Sequence, residues 1–169
     1  MDNLSRLTTA LDGMEDLRQK GSDALNNRQS EVSGWSAAQH LYHVALSTDL
    51  AMRCVTTIMA GTSPRLRHDL PKSELFSQLQ ALGHFPGGTK APRLVIPPDE
   101  INLEFLKQEI ATASAAAQEL EGQDLSNTTG RIVHEKLGGL DAREWVTFAR
   151  MHAEHHLQIA EKVLNSASC

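Results

Sequence analysis

The sequence predicts an all-α protein, a four-helix bundle with a long crossover connection between its second and third long helices. Three observations carry this. Ala and Leu are abundant, and aromatic residues make up only 4% of the chain, a balance that favours helix over strand. Four segments of about 20 residues or more carry apolar residues at helical spacing, and no segment reads convincingly as strand. All six prolines fall between Gly61 and Pro98, which concentrates the helix breakers in one connection. The 169 residues suit a single bundle domain over 1–169 with a sizeable core.

The first helix is expected over roughly Asp2 to Asn27. Leu4, Leu7, Leu11, Met14 and Leu17 form one apolar stripe, with Gly13 and Gly21 as local weak points. Asn26-Asn27 and the polar run to Gly34 read as a connector. The second helix opens at Trp35-Ser36, where Ser36 and Gln39 have capping-box spacing, and Gly61 stops it. It is apolar on most faces through Leu41, Val44, Ala45, Leu46, Leu50, Met52, Val55 and Ile58, so it is expected to be the most buried. His40 and His43 lie in its first two turns.

The proline-rich connection is expected to contain a short helix from Lys72 to Leu82, with Leu75, Leu79 and Leu82 on one side. A connection this long is usually functional or lies over the core. The third long helix follows Pro97-Pro98, with Asp99 as the expected N-cap. Its inner stripe is Leu103, Leu106, Ile110, Ala113, Ala117 and Leu120, and Gly122 ends it. Arg131 to Gly139 reads as a second irregular connection, with His134 in it. The fourth long helix runs from Asp141 to about Asn165, with Asp141 and Glu144 again at capping-box spacing.

The bulk properties exclude several classes of function. Net charge is −5 with scattered basic residues, which argues against a nucleic-acid-binding surface. The two cysteines, Cys54 and Cys169, form no CxxC pair and fit a reducing compartment better than a disulfide scaffold. No signal-peptide pattern and no membrane-length apolar run is found. A cytoplasmic protein is therefore expected. Gly87-Gly88-Thr89-Lys90 lacks the spacing and the preceding strand of a phosphate loop, and no GxSxG elbow accompanies the serines.

The chemistry concentrates in His152-Ala153-Glu154-His155-His156. On a helical wheel His152 sits mid-stripe between Trp145, Phe148, Ile159 and Val163, and His156 stacks one turn above it, about 40° off centre. His155 lies nearer the edge, about 60° to the other side. Two imidazoles at i and i+4 on one face can reach one metal ion, the reason HExxH works. Glu154 points off the stripe and makes a poor general base. A metal site needs a third ligand from another helix, and His40 and His43 are both candidates that geometry alone does not separate. The bland alternative is a set of hydrogen-bonded core histidines. His68, His84 and His134 lie in connections and are expected to be solvated or to hold loop geometry. Cys54 reads as a small core residue, and Trp35 and Trp145 read as helix-start anchors.

Trp35-Ser36 with His43 eight residues after the tryptophan, then Glu144-Trp145 leading to His152-x-x-His155-His156-x-Gln158-Ile159, resembles the DinB-like superfamily of bacterial four-helix-bundle proteins. The His134…Gly138…Leu140…Glu144-Trp145 run and the Phe85-Pro86-Gly87…Lys90-Ala91-Pro92 loop extend the resemblance over nearly the whole chain. It implies an up-up-down-down-type bundle, often a homodimer. It also implies a His triad that carries over by position to His43, His152 and His156, with zinc or nickel as the ion. The Trp-to-His spacing selects His43 over His40. Some members of such a family resemble metal-dependent transferases acting on low-molecular-weight thiols, and others have no established activity.

Two functions are thus expected to compete. One is a metal-dependent enzyme of the thiol-transferase type acting on a small molecule, in which the ion generates a nucleophile at neutral pH and His155, His40 or His84 handles protons. The other is a non-enzymatic bundle whose histidines or ion support structure or a dimer.

Overall fold

A computed structural model describes residues 2–86 and 91–166. Cys169 and the Gly87–Lys90 part of the loop that carried the resemblance lie outside the described residues. Six α-helices lie among the described residues: α1 Asn3–Arg18, α2 Ser22–Asn26, α3 Ala37–Ala60, α4 Glu74–Leu82, α5 Leu103–Gln118 and α6 Ala142–Ser166. The four long ones, α1, α3, α5 and α6, form the expected all-α bundle. The first helix covers its apolar stripe but is shorter than the expected span of Asp2 to Asn27. It stops at Arg18, and α2 restarts beyond Gly21, whose φ of 95° no continuous helix adopts.

Packing follows the burial of α3. Its residues Leu41, Val44, Ala45, Ala51, Met52, Val55 and Ile58 are all in the core, and it contacts both α6 and α5. Helix α1 closes the bundle against those same two helices. Pairings along the helices fix their directions. Asn3 meets Thr147 and Gly13 faces Leu157, so α1 and α6 are parallel. His43 meets His152 while His40 meets His156, so α3 runs against α6. Tyr42 packs on Phe105 near the starts of α3 and α5, and their later residues share one groove, from Asp49 to Ala60 on α3 and from Thr112 to Glu119 on α5. These two are parallel. The chain order is therefore up-down-down-up, which corrects the up-up-down-down arrangement implied by the resemblance. The long crossover has a simple cause. Two successive parallel helices require the chain to return along the bundle, about 36 Å for a 24-residue helix at 1.5 Å per residue.

The crossover is seated rather than loose. Ser73, not Lys72, starts α4, its side chain accepting from the Phe76 N–H. The inward face is Phe76 and Leu79; Leu75 and Leu82 are exposed, so the expected Leu75–Leu79–Leu82 face is corrected. Further on, Asn102 rather than Asp99 caps α5, accepting from the Glu104 and Phe105 N–H groups, while Asp99 pairs with Arg28. The Gln39 amide donates to the Pro98 carbonyl at 2.8 Å, tying the end of the crossover to the start of α3.

The expected irregular link at 131–139 is a short antiparallel hairpin, β1 Ile132–His134 with β2 Gly138–Leu140. Its three-residue strands are too short to give a periodic signal. The hairpin delivers the chain to α6 through a buried ion pair, Arg131 with Glu144. Glu144 also completes the predicted capping box: the Asp141 side chain accepts from the Glu144 N–H and the Glu144 carboxylate accepts from the Asp141 N–H. Among the described residues no helix is long and apolar enough to cross a membrane.

Candidate metal centre

The site lies where the first turns of α3 face the middle of α6. The Ser36–Gln39 capping box fixes the entry of α3, which places His40 and His43 on adjacent turns looking at α6. Both are buried. On α6, His152, His155 and His156 are half-buried, with Ala153 and Ala160 in the core behind them. His43, His152 and His156 each offer one ring nitrogen, and these three atoms lie within 4.8 Å of one another. They form a group that could hold a metal ion.

A hydrogen bond to a backbone carbonyl decides which nitrogen His43 presents. His43 donates Nδ1–H to the Val95 carbonyl at 2.7 Å, so its Nε2 carries the lone pair. That Nε2 stands 3.1 Å from Nε2 of His152, close to the about 3.4 Å edge of a tetrahedral zinc site with Zn–N bonds of about 2.0–2.1 Å. Nδ1 of His152 is buried and has no hydrogen-bond partner. Nδ1 of His156 lies 2.8 Å from Nδ1 of His40. The donor set fits a divalent ion of the imidazole-preferring kind, and the second-sphere contact expected of a ligating histidine is present on His43 and His156.

Electrostatics keep the cluster neutral. Burial lowers the pKa of all five imidazoles, and repulsion between neighbouring rings adds to it at His40, His152 and His156. His40 is brought down to about 4. Part of the His152 residue reaches the surface, yet its ring is enclosed by Phe148, Phe85, His43 and His156, and its imidazolium is strongly disfavoured. Neutral rings with bare lone pairs are the state that metal binding requires.

A family model of the DinB superfamily matches residues 3–160. The chain belongs to the DinB superfamily. No curated protein and no solved structure matches it.

Within this DinB-type bundle, the three histidines carried over by resemblance, His43, His152 and His156, are the three that the fold brings together. His155 stands at the edge as the wheel required, its ring 5.1 Å from that of His156. Glu154 faces α1 and pairs with Arg6 and Arg150, well placed for structure and not for proton transfer. His68 and His84 are exposed, as expected of connection residues. His134 differs. Its ring packs on Phe148 and Trp145, and its Nδ1 accepts the Lys136 and Leu137 N–H groups. It holds the hairpin turn, and burial brings its pKa to about 4.

Four contributors were not assigned to the site from the sequence. Trp35 is a wall of the site, its ring 5.0 Å from His43 and stacked at 6.3 Å on His156. Phe148 stacks on His152 at 5.3 Å, and Phe85 of the crossover meets the His152 and His155 rings edge-on. The Val95 carbonyl is a backbone atom, which no residue type announces. For Trp35, the available signal was its position eight residues before His43.

Proposed function

We propose that the chain is a divalent-metal-binding protein whose ligands are His43, His152 and His156, and that the ion serves small-molecule chemistry of the thiol-transferase type. The observation that carries the metal reading is the convergence of three neutral imidazoles from α3 and α6, with the His43 lone pair oriented by Val95. Zinc or nickel suits an all-imidazole set. A divalent ion in a three-histidine site acts as a Lewis acid and lowers the pKa of a donor in its open position.

The protein groups divide the remaining work. Three neutral imidazoles bring no negative charge, so an anionic donor such as a thiolate complements them. Phe85, Phe148 and Trp35 give the cleft apolar walls that exclude water from that position. His155, half-buried beside His156, is the group placed to carry a proton between cleft and solvent. A homodimer and a cytoplasmic setting complete the reading, both resting on the likeness to the family and on composition.

The competing reading is a closed structural site with His40 as a fourth ligand. It is disfavoured because both His40 nitrogens are engaged, one with Ser33 and one with His156.

Metal analysis of untagged protein purified under replete conditions tests the proposal. About one ion per chain is expected in the wild type and almost none in His43→Ala or His152→Ala; a metal-free wild type would overturn it. For the thiol, the cobalt-substituted protein is titrated with a low-molecular-weight thiol. A sulfur-to-cobalt charge-transfer band is expected, and an unchanged spectrum removes the thiol from the reading.

A further inference from the structure

His40 is not one of the three converging histidines, yet it is almost as buried as His43, at 3% exposure for each. Its two ring nitrogens are both in hydrogen bonds. Nε2 lies 2.8 Å from the Ser33 hydroxyl, and Nδ1 lies 2.8 Å from Nδ1 of His156. The Ser33 oxygen is itself held in place by the Trp35 N–H at 3.1 Å. A polar chain therefore runs from the connector before α3, through one imidazole, to a candidate ligand on α6.

An Nδ1-to-Nδ1 contact holds one proton, and its location has consequences for the far side of each ring. In the first arrangement His156 donates Nδ1–H to His40, and His40 donates Nε2–H to Ser33. Nε2 of His156 is then bare. In the second, the Ser33 hydroxyl donates to Nε2 of His40, His40 donates Nδ1–H to His156, and Nε2 of His156 carries the proton. Both place three protons on the same three side chains and differ only in where they sit. The Ser33 hydroxyl can serve either one by rotating.

We propose that Ser33 and His40 form a positioning relay that supplies an acceptor for Nδ1–H of His156 and so stabilises the tautomer that presents its Nε2 lone pair for ligation. This rests on the metal reading above and adds to it the group that prepares the third ligand. The relay is the side-chain counterpart of the Val95 carbonyl on His43. Two of the three histidines are thereby oriented from outside the site, and His40 is excluded as a ligand because it has no nitrogen left.

The test uses protein with 15N-labelled imidazoles and two-bond proton–nitrogen correlations, which distinguish protonated from bare ring nitrogens. In the metal-free wild type His156 is expected to be protonated at Nδ1 and bare at Nε2. In His40→Ala the Nε2–H form gains population. Zinc affinity, measured against a competing chelator, falls about 10–100-fold, the usual cost of removing an outer-sphere partner, with one ion per chain retained at saturation. His40→Asn, whose amide oxygen can accept the Nδ1–H bond, recovers most of the affinity. Ser33→Ala supplies a milder variant should alanine at position 40 prevent folding, and a several-fold loss is expected.

Nε2–H on His156 in the metal-free wild type overturns the relay. So does unchanged affinity in His40→Ala, or asparagine performing no better than alanine. Complete loss of the ion in a folded His40→Ala would make His40 a ligand, and also overturns it. If the wild type binds no zinc at all, the metal reading fails, and the nitrogen shifts of the metal-free protein still decide the relay by themselves.

Discussion

The Nδ1–H of His43 donates to the Val95 carbonyl at 2.7 Å, so a backbone atom of the crossover decides which nitrogen of this imidazole is bare. The crossover is thus part of the site, and residues far from the histidines in sequence control how ready they are for an ion.

An ion that binds only the folded chain stabilises it by mass action, about 2.7 kcal/mol at a free concentration 100 times Kd. At about 2–4 °C per kcal/mol for a protein of this size, the thermal midpoint should rise by about 5–10 °C on zinc or nickel loading. His43→Ala, His152→Ala and His156→Ala should each abolish the rise. Scanning calorimetry with and without chelator checks this, and a rise that survives in His156→Ala would remove that residue from the ligand set.

Acid should weaken the hairpin through His134. Its folded pKa is lowered to about 4 from about 6.5 in the unfolded chain, so the unfolded state binds more protons between these values. The contribution is complete above about pH 6.5 and is lost as pH falls through about 4, amounting to about 1–3 kcal/mol. A proton on Nδ1 also removes the acceptor for the Lys136 and Leu137 N–H groups. Urea midpoints recorded from pH 7 to pH 4 should fall less steeply in His134→Asn than in the wild type. Parallel curves for the two proteins would contradict the assignment.

The Arg131–Glu144 pair should be costly to break from one side. Their side chains are 18% and 7% exposed, and without Glu144 the Arg131 guanidinium keeps only a 3.5 Å contact to Asp141 and a bond to the Gly139 carbonyl. Glu144→Ala should cost about 1–3 kcal/mol, including the loss of half the α6 capping box. Arg131→Met combined with Glu144→Leu should cost less than the sum of the single changes, with a coupling of about 0.5–3 kcal/mol. A double-mutant cycle in urea reads this directly, and additive costs would show that the pair is not coupled.

Phe76→Ala should lower stability by about 3–5 kcal/mol, because Phe76 is fully buried and is the main anchor of α4. The loss should be felt along the crossover, with faster amide exchange at Phe76, Leu79 and Val95 than the change in global stability accounts for. Uniform acceleration across α1, α3, α5 and α6 would show that the crossover does not open by itself.

The bundle was legible in the sequence because its long helices have sharp stripes and side-chain caps. Ser36–Gln39 and Asp141–Glu144 mark two helix starts by chemistry that acts over three residues. The cap of α5 was misread because Asp99 and Asn102 are both competent; the Ile101 backbone N–H and carbonyl are held outside the helix by Asn26, a partner distant in sequence. The site was legible by half. The i, i+4 relation of His152 and His156 is a property of one helix, whereas the choice between His40 and His43 depends on how α3 is rotated against α6. Residue spacing within α3 does not contain that rotation; likeness to the family supplied it. Ser33, Phe85 and the Val95 carbonyl join the site through connections, where no periodicity carries position forward.

His43 and His152 are 109 residues apart in the chain, and His40 and His156 are 116 apart. Closing a loop of that length costs about 4 kcal/mol in chain entropy before any contact rewards it, so the centre is absent until α3 and α6 have docked. Ion capture during refolding is then a clock for the longest-range step of assembly. Zinc added at successive delays after dilution from urea would be taken up at the rate of that docking event, even though the HxxxH pair forms as early as α6 itself.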